Sequence, residues 1–448
     1  MLREIPRQRG HWLLGNAKDV LPNAHQFVAG TAAAHGGLAR FRALHRTLYA
    51  TVRPEDVRHI LFDNVENYVK SYHYRSTSVI SGWGLLFIDG NLWRRRRRMI
   101  QPGFRRASLR PIAEIAARES AAVIDDWPTR QGNDGAIEVV ADLRTIALRT
   151  ITRALLGIGL DGEKADRFGE AVSGALKVLG RRNNGVAWPF WMPTADNRAL
   201  HDTRAALDDF LMDQIRARRA ALAANEETPG GILESYIGDP ELSDQNVLDE
   251  TKTLFTAGFE TAATALAWSL GLLADHPEVA EACEAEVDRV LNGRLATFDD
   301  LINLPTITAV AEETLRLFPP ITQVGRESLA EDDLGGYRLP KGSTILISMY
   351  GIQRSPELWD APEAFRPERF APERRDAIPE VAYFPFGAGR RTCIGNNFAL
   401  QEQTAILATI LQRYRLAMPP GTEMRESLRV TLQPGSALPI RVTLRKAA

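Results

Sequence analysis

Residues 384–400 read FPFGAGRRTCIGNNFAL, and the fold turns on the lone cysteine in that stretch. Gly387 and Gly389 free the backbone for a tight bulge, Cys393 follows, and Gly395 opens an amphipathic pattern that runs to about Tyr414. The thiol therefore stands at a helix N-terminus, where unpaired N–H groups and the positive end of the helix dipole stabilise a thiolate. Small neighbours let a flat ligand approach the sulfur. Two readings are open at this point: a buried small hydrophobe, or a sulfur ligand.

Working outward, the chain has 448 residues, 44% hydrophobic and 25% charged, with 55 Lys plus Arg against 56 Asp plus Glu for a net charge of −1. That balance argues against a nucleic-acid partner. The other cysteine, Cys283 in EVAEACEAEVDRVL, reads as incidental, and two cysteines make no disulfide framework. His73 and His276 lack metal-ligand spacing. The start MLREIPRQRGHW is too charged for a signal peptide and the run Thr261 to Ala274 too short to span a bilayer, so we expect no transmembrane anchor and a cytoplasmic protein. No Ser/Gly-rich or Pro-rich linker interrupts the chain, so 1–448 is expected to be one domain.

Apolar residues recur at helical spacing through 107–127, 140–156, 197–224 and 245–275. The span 243–275, capped by Ser243 and stopped by His276 and Pro277, predicts a helix about 50 Å long at ~1.5 Å per residue. Two strands are expected in 38–53, a helix from Glu55, and a loop from Ser71 to Gly90. Further hairpins are expected at 334–348, turning at Pro340 to Gly342, and at 428–444, turning at Pro434 and Gly435. The layout is mainly α with small peripheral β-sheets: helical mainly over 55–320, β-rich mainly at 38–53 and 321–448. GIGLDG (157–162) matches Gly-x-Gly-x-x-Gly, but it ends a helical pattern instead of following a strand, and it reads as a turn.

The cysteine stretch resembles the signature of the cytochrome P-450 family, Phe-x-x-Gly-x-Arg-x-Cys-x-Gly, met by Phe386, Gly389, Arg391, Cys393 and Gly395. Glu313 and Arg316 match the family's Glu-x-x-Arg, and Pro367 to Phe370 its Pro-Glu-Arg-Phe. The resemblance implies the cytochrome P-450 fold, Cys393 as the iron ligand of haem b, and a buried structural cluster of Glu313, Arg316 and Arg369. A second guanidinium from a distant loop suits such a carboxylate bidentately.

AGFET (257–261) on the long helix matches the family's [Ala/Gly]-Gly-x-[Asp/Glu]-Thr. Ala257 and Gly258 remove bulk where a haem face and O2 would lie, and Thr261 can hydrogen-bond the backbone carbonyl three or four residues back. The resemblance implies that Glu260 and Thr261 relay the protons that accompany O–O cleavage, which the Cys393 thiolate favours.

In WRRRRRM (93–99), Trp93 and Arg97 lie one turn apart, and the family's Trp-x-x-x-Arg implies that they bind a haem propionate together with Arg326 and Arg391. The remaining arginines, Arg95 and Arg96 among them, read as a solvated face or as a docking surface for an acidic electron donor. Trp83, Phe87, Phe255 and Val324 are the expected substrate contacts, and WPFWMP (188–193) a pocket break or lid.

The implied activity is a monooxygenase that inserts one oxygen atom of O2 into a lipophilic small molecule such as a terpenoid, steroid or fatty acid. No dinucleotide fingerprint appears, so electrons come from NAD(P)H through separate partners, a ferredoxin and a ferredoxin reductase. The alternatives are a peroxide-driven peroxygenase and a haem-thiolate gas sensor or electron carrier. DGNLWRRRRRMIQPGF resembles microsomal members, although their membrane anchor is missing.

Overall fold

A computed structural model describes residues 2–445 apart from 22, 133, 160–162, 184–187, 227–229 and 436. Ten helices matter here: α1 (Ala24–Ala34), α2 (Gly90–Ile100), α3 (Arg110–Ile124), α4 (Val139–Leu156), α5 (Glu163–Asn183), α6 (Ala195–Ala223), α7 (Asp244–Asp275), α8 (Pro277–Leu291), α9 (Pro305–Leu317) and α10 (Asn396–Arg413). The long helix starts and stops where its caps predict: Ser243 Oγ accepts from the Asn246 N–H, and His276 ends it before Pro277. It is buried on almost every side because α4, α6, α9 and α10 pack around it. α10 lies against α3, and the two share a core with α7, α8 and α9 that includes Cys283. Burial pushes that thiol up to about 12, away from the thiolate that a reactive cysteine needs.

The strands are β1 (Leu38–Ala43), β2 (Arg46–Thr51), β3 (Tyr68–Lys70), β4 (Ala136–Glu138), β5 (Gln323–Ser328), β6 (Thr344–Ser348), β7 (Tyr414–Ala417), β8 (Glu426–Leu428), β9 (Leu432–Pro434) and β10 (Pro439–Leu444). The largest sheet runs β1-β2-β6-β5-β3, with β2 and β6 parallel and the other pairs antiparallel. Its edge sets Lys70 of β3 opposite Arg326 of β5.

Both late hairpins are re-paired. Residues 337–339 pair with 332–333 and with the N-terminal strand 3–4, while β6 joins the five-stranded sheet, so Pro340 to Gly342 link two sheets. β9 pairs with β8 instead of β10, and β10 bridges β7 and β4. In each case a turn signal at Pro/Gly says where a strand stops, not which strand it then meets. The expected loop at 71–90 holds a short helix, Tyr74–Ser81, and the helix begun at Pro54 breaks into a π-helical turn at His59–Asp63. Of the Gly-x-Gly-x-x-Gly match, residues 160–162 lie outside the described residues; Gly157, with φ +70°, is the left-handed cap that closes α4, as a turn reading requires.

Candidate functional site

The thiol loop is closed by the Cys393 N–H donating to the Phe386 carbonyl at 2.8 Å. Gly387 and Gly389 have φ of +71° and +68°, and a Cβ on Gly389 would sit 2.1 Å from the Leu61 carbonyl oxygen, so glycine is required there. Gly395 is the N-cap of α10. Burial pushes the Cys393 thiol up, and the Gly395 N–H, Arg97 and Lys70 act the other way without prevailing. Burial thus opposes the thiolate that the helix end favours. Yet Cys393 is accessible, so its sulfur borders an open interior space.

Cations crowd that space. Arg391 bonds the Ile88 carbonyl at 2.6 Å, pairs with Asp89 and lies 4.3 Å over the Trp93 ring. Arg326 is buried, and among the described residues its guanidinium bonds the Gly325 carbonyl, its own neighbour, alone. Arg97 lies on the inner face of α2, where burial lowers its pKa and Cys393 raises it. Lys70 completes the group: burial, then Arg326 and Arg391, hold its ammonium well below the usual lysine range. Among the described residues neither Lys70, Arg97 nor Arg326 has a salt bridge, and Asp89 is the one carboxylate of the cluster. Three arginines against one carboxylate leave two positive charges, which two propionates would meet, and Lys70 adds a further donor. Haem b fits the residues present. Lys70 has no sequence signature of its own; only the β3–β5 register brings it beside Arg326.

Along α7, Ala257 is exposed and Gly258 and Thr261 half-buried in a stretch otherwise buried, which marks an open face that includes i and i+4. The Thr261 hydroxyl donates to the Ala257 carbonyl at 2.6 Å, as its position predicts. Ile394 and Phe398, flanking the thiol, share one apolar core with Phe255, Phe259 and Ala262 of this helix. Gly258 departs from expectation. A Cβ there would lie 2.8 Å from Cδ1 of Ile151, so the missing side chain lets α4 pack against α7. Glu260 points about a quarter-turn away from the open face. Its carboxylate accepts from Gln433 and stands 4.0 Å from Arg144, at a cavity of about 530 Å³ also lined by Ser173, Arg429 and Thr431. Burial raises its pKa, partly offset by Arg144, Arg429 and the Gln433 bond.

The sequence profile of the family described as Cytochrome P450 matches residues 5–440. The chain belongs to the cytochrome P450 family. It is 33% identical over 438 residues to cyclooctatin synthase of Streptomyces melanosporofaciens, covering 95% of this chain and 92% of that protein. Pentalenene oxygenase of Streptomyces avermitilis is 32% identical over 447 residues, covering 97% and 96%. The crystal structure of the cytochrome P450DA heme domain superposes with a TM-score of 0.90 at 26% identity, covering all of this chain and 98% of that one. The protein is thus a P450 monooxygenase, an oxidoreductase with haem as cofactor. Among its described residues no helix is long and apolar enough to cross a membrane.

Other P450 features were placed less well by sequence. Arg96, offered as a docking arginine, is only 6% exposed and donates to the Trp83 carbonyl at 3.1 Å, because it falls on the inward face of α2. Arg95 is exposed but paired with Glu241. The bidentate partner of Glu313 is Arg316, at 2.6 and 2.8 Å, whereas Arg369 stands 3.4 Å away and donates to the Ala361 carbonyl. Phe255 is fully buried and stacked near Phe259, about 160° round the helix from Ala257, so it belongs to the core and not to the open face. Phe87 is buried, Val324 half-buried against the sheet core, and Trp83 exposed. Trp188 and Trp191 of WPFWMP are 56% and 80% exposed.

Proposed function

We propose that this P450 inserts one oxygen atom of O2 into a lipophilic molecule of the terpenoid class, drawing electrons from NAD(P)H through a ferredoxin reductase and a ferredoxin. The observation that carries the haem site is the accessible thiol beside three arginines and a lysine with one carboxylate. Cys393 would hold the iron, and Arg97, Lys70, Arg326, Arg391 and the Trp93 N–H would hold the propionates. Haem so bound supplies O2 activation.

Thr261, with its hydrogen committed to the Ala257 carbonyl, presents oxygen lone pairs to the open face and can accept and pass a proton there. Glu260, raised by burial, holds a proton more readily than an ordinary carboxyl and takes it from the cavity on its own side. The acid and the alcohol thus serve the two ends of one transfer, from the cavity to the open face a quarter-turn away. Support for a terpenoid comes from the printed names of the relatives, cyclooctatin synthase and pentalenene oxygenase. For the electron donor, Arg94 and Arg390 share one carboxylate, Glu66, and exposed Arg98 lies one turn from Arg94, which leaves a net-positive patch suited to an acidic protein.

The test is the reduced protein with carbon monoxide, whose Soret maximum should shift far to the red and revert in Cys393→Ser. Cyclic terpene hydrocarbons should then displace iron-bound water, seen as a spin-state change, and yield singly oxygenated product labelled from O2. Fatty acids shifting the spin state while every terpene fails would overturn the substrate class.

A further inference from the structure

α7 carries a buried acid that this mechanism does not use. Glu250 is 0% exposed, and one of its oxygens accepts the Leu85 N–H at 2.8 Å. One turn on, Thr253 accepts from the Gly84 N–H at 3.2 Å and donates to the Ser81 carbonyl at 2.7 Å; a further turn on, Thr256 bonds the Ser81 hydroxyl at 2.9 Å. From α2, Arg96 donates to the Trp83 carbonyl at 3.1 Å and stands 3.8 Å from the second Glu250 oxygen, which among the described residues has no hydrogen-bond partner. The loop is pressed as close as glycine allows: a Cβ on Gly84 would meet Thr253 Oγ1 at 2.4 Å, and one on Gly82, with φ +68°, would meet Asp249 Oδ1 at 2.7 Å.

The position of this loop gives the contacts their meaning. At one end Thr256 adjoins Ala257 on the open face of α7; at the other, Arg391, two residues from Cys393, bonds the Ile88 carbonyl and Asp89. Residues 81–89 therefore string the two halves of the haem site together, with Leu86 and Phe87 between the anchors. We infer that Glu250, backed by Arg96 and Thr253, is a positioning residue that pins the 81–89 loop as a preformed wall of the substrate space and so sets which molecules it holds. The inference rests on the proposed haem site, since only then does that space receive a substrate. A wall held in advance needs no ordering when a ligand arrives, so its apolar contacts appear in affinity instead of being spent on immobilising the loop.

The experiment uses the haem-loaded protein and two probes that bind iron through the same nitrogen, imidazole and 4-phenylimidazole, titrated by their Soret shift. The ratio of their Kd values isolates what the wall adds to the phenyl group. Glu250→Ala should reduce the advantage of 4-phenylimidazole at least fivefold. Glu250→Gln, which keeps the acceptor for the Leu85 N–H, should hold it within twofold. Thr253→Val removes the neighbouring anchor with little change of volume and should act like Glu250→Ala, so the inference remains testable if Glu250→Ala does not fold. An advantage that falls less than fivefold, or rises, in folded Glu250→Ala or Thr253→Val overturns it. The carbon monoxide spectrum of each sample is read first. A missing thiolate signature in the unsubstituted protein sinks the haem reading, whereas a normal signature with an unmoved ratio sinks only the wall.

Discussion

Removing the Arg316 guanidinium should cost this protein most of its stability without touching the thiol loop. Arginine has five N–H donors, and here all five are used: two on Glu313 at 2.6 and 2.8 Å, and three on the carbonyls of Gln353, Pro362 and Ala364 at 2.8, 2.7 and 3.1 Å. Arg316 and Glu313 are both 0% exposed. Arg316→Ala leaves a buried carboxylate that keeps the Arg366 N–H at 2.9 Å and has Arg369 at 3.4 Å. Breaking such a pair costs about 3–5 kcal/mol. The orphaned Gln353 carbonyl, fully buried, adds about 1–3 kcal/mol, while the other two are half-buried and add less. The total, at least about 5 kcal/mol, rivals the whole margin of about 5–15 kcal/mol of a folded protein. Arg316→Lys keeps the charge but has three donors, and should lose about 3 kcal/mol. Glu313→Leu with Arg316→Leu removes the charge problem but not the carbonyl problem, so it should recover only part of the loss. The assay is urea unfolding alongside haem content. A lysine variant within about 0.5 kcal/mol of the parent, or a fully stable leucine pair, would refute the reasoning.

Gly258→Val should destabilise by about 1–3 kcal/mol through overpacking on Ile151, and adding Ile151→Ala should relieve it; a stable single variant would remove the packing argument. Thr261→Ala should still bind ligands but divert O2 to peroxide, with product per NAD(P)H falling well below the parent's; unchanged coupling would count against the alcohol's role. Burial lifts Glu250 to about 7, so between the ordinary value of 4.5 and 7 the folded protein binds more protons than the unfolded chain. This group's contribution therefore falls as pH rises through that window, by up to about 3 kcal/mol, and Glu250→Gln should gain on the parent from pH 5 to pH 8 in urea unfolding. Parallel stability curves would contradict it.

Much of the fold was legible because its signals are local. The cap at Ser243, the Pro277 stop and the 3.6-residue apolar period bound α7 to within a residue, and the Gly-x-Arg-x-Cys loop located the thiol. What failed was everything that depends on which face of a helix meets which neighbour. Arg96 and Arg97 are adjacent in sequence, yet one bonds the Trp83 carbonyl and the other interacts with the Cys393 sulfur. Gly258 looked like room for a ligand and is room for Ile151.

The sequence by itself determined the chemistry: a thiol in a glycine-bent loop, an acid and an alcohol side by side on a long helix, and arginines able to hold carboxylates. Only the tertiary structure decided that Lys70 joins them, that Glu260 opens on a cavity about a quarter-turn from the Ala257–Thr261 face, and that Glu250 bonds the backbone of the loop before α2. The reason is that charge pairing and burial depend on distances through space, and strand register and helix packing set those distances between residues hundreds of positions apart.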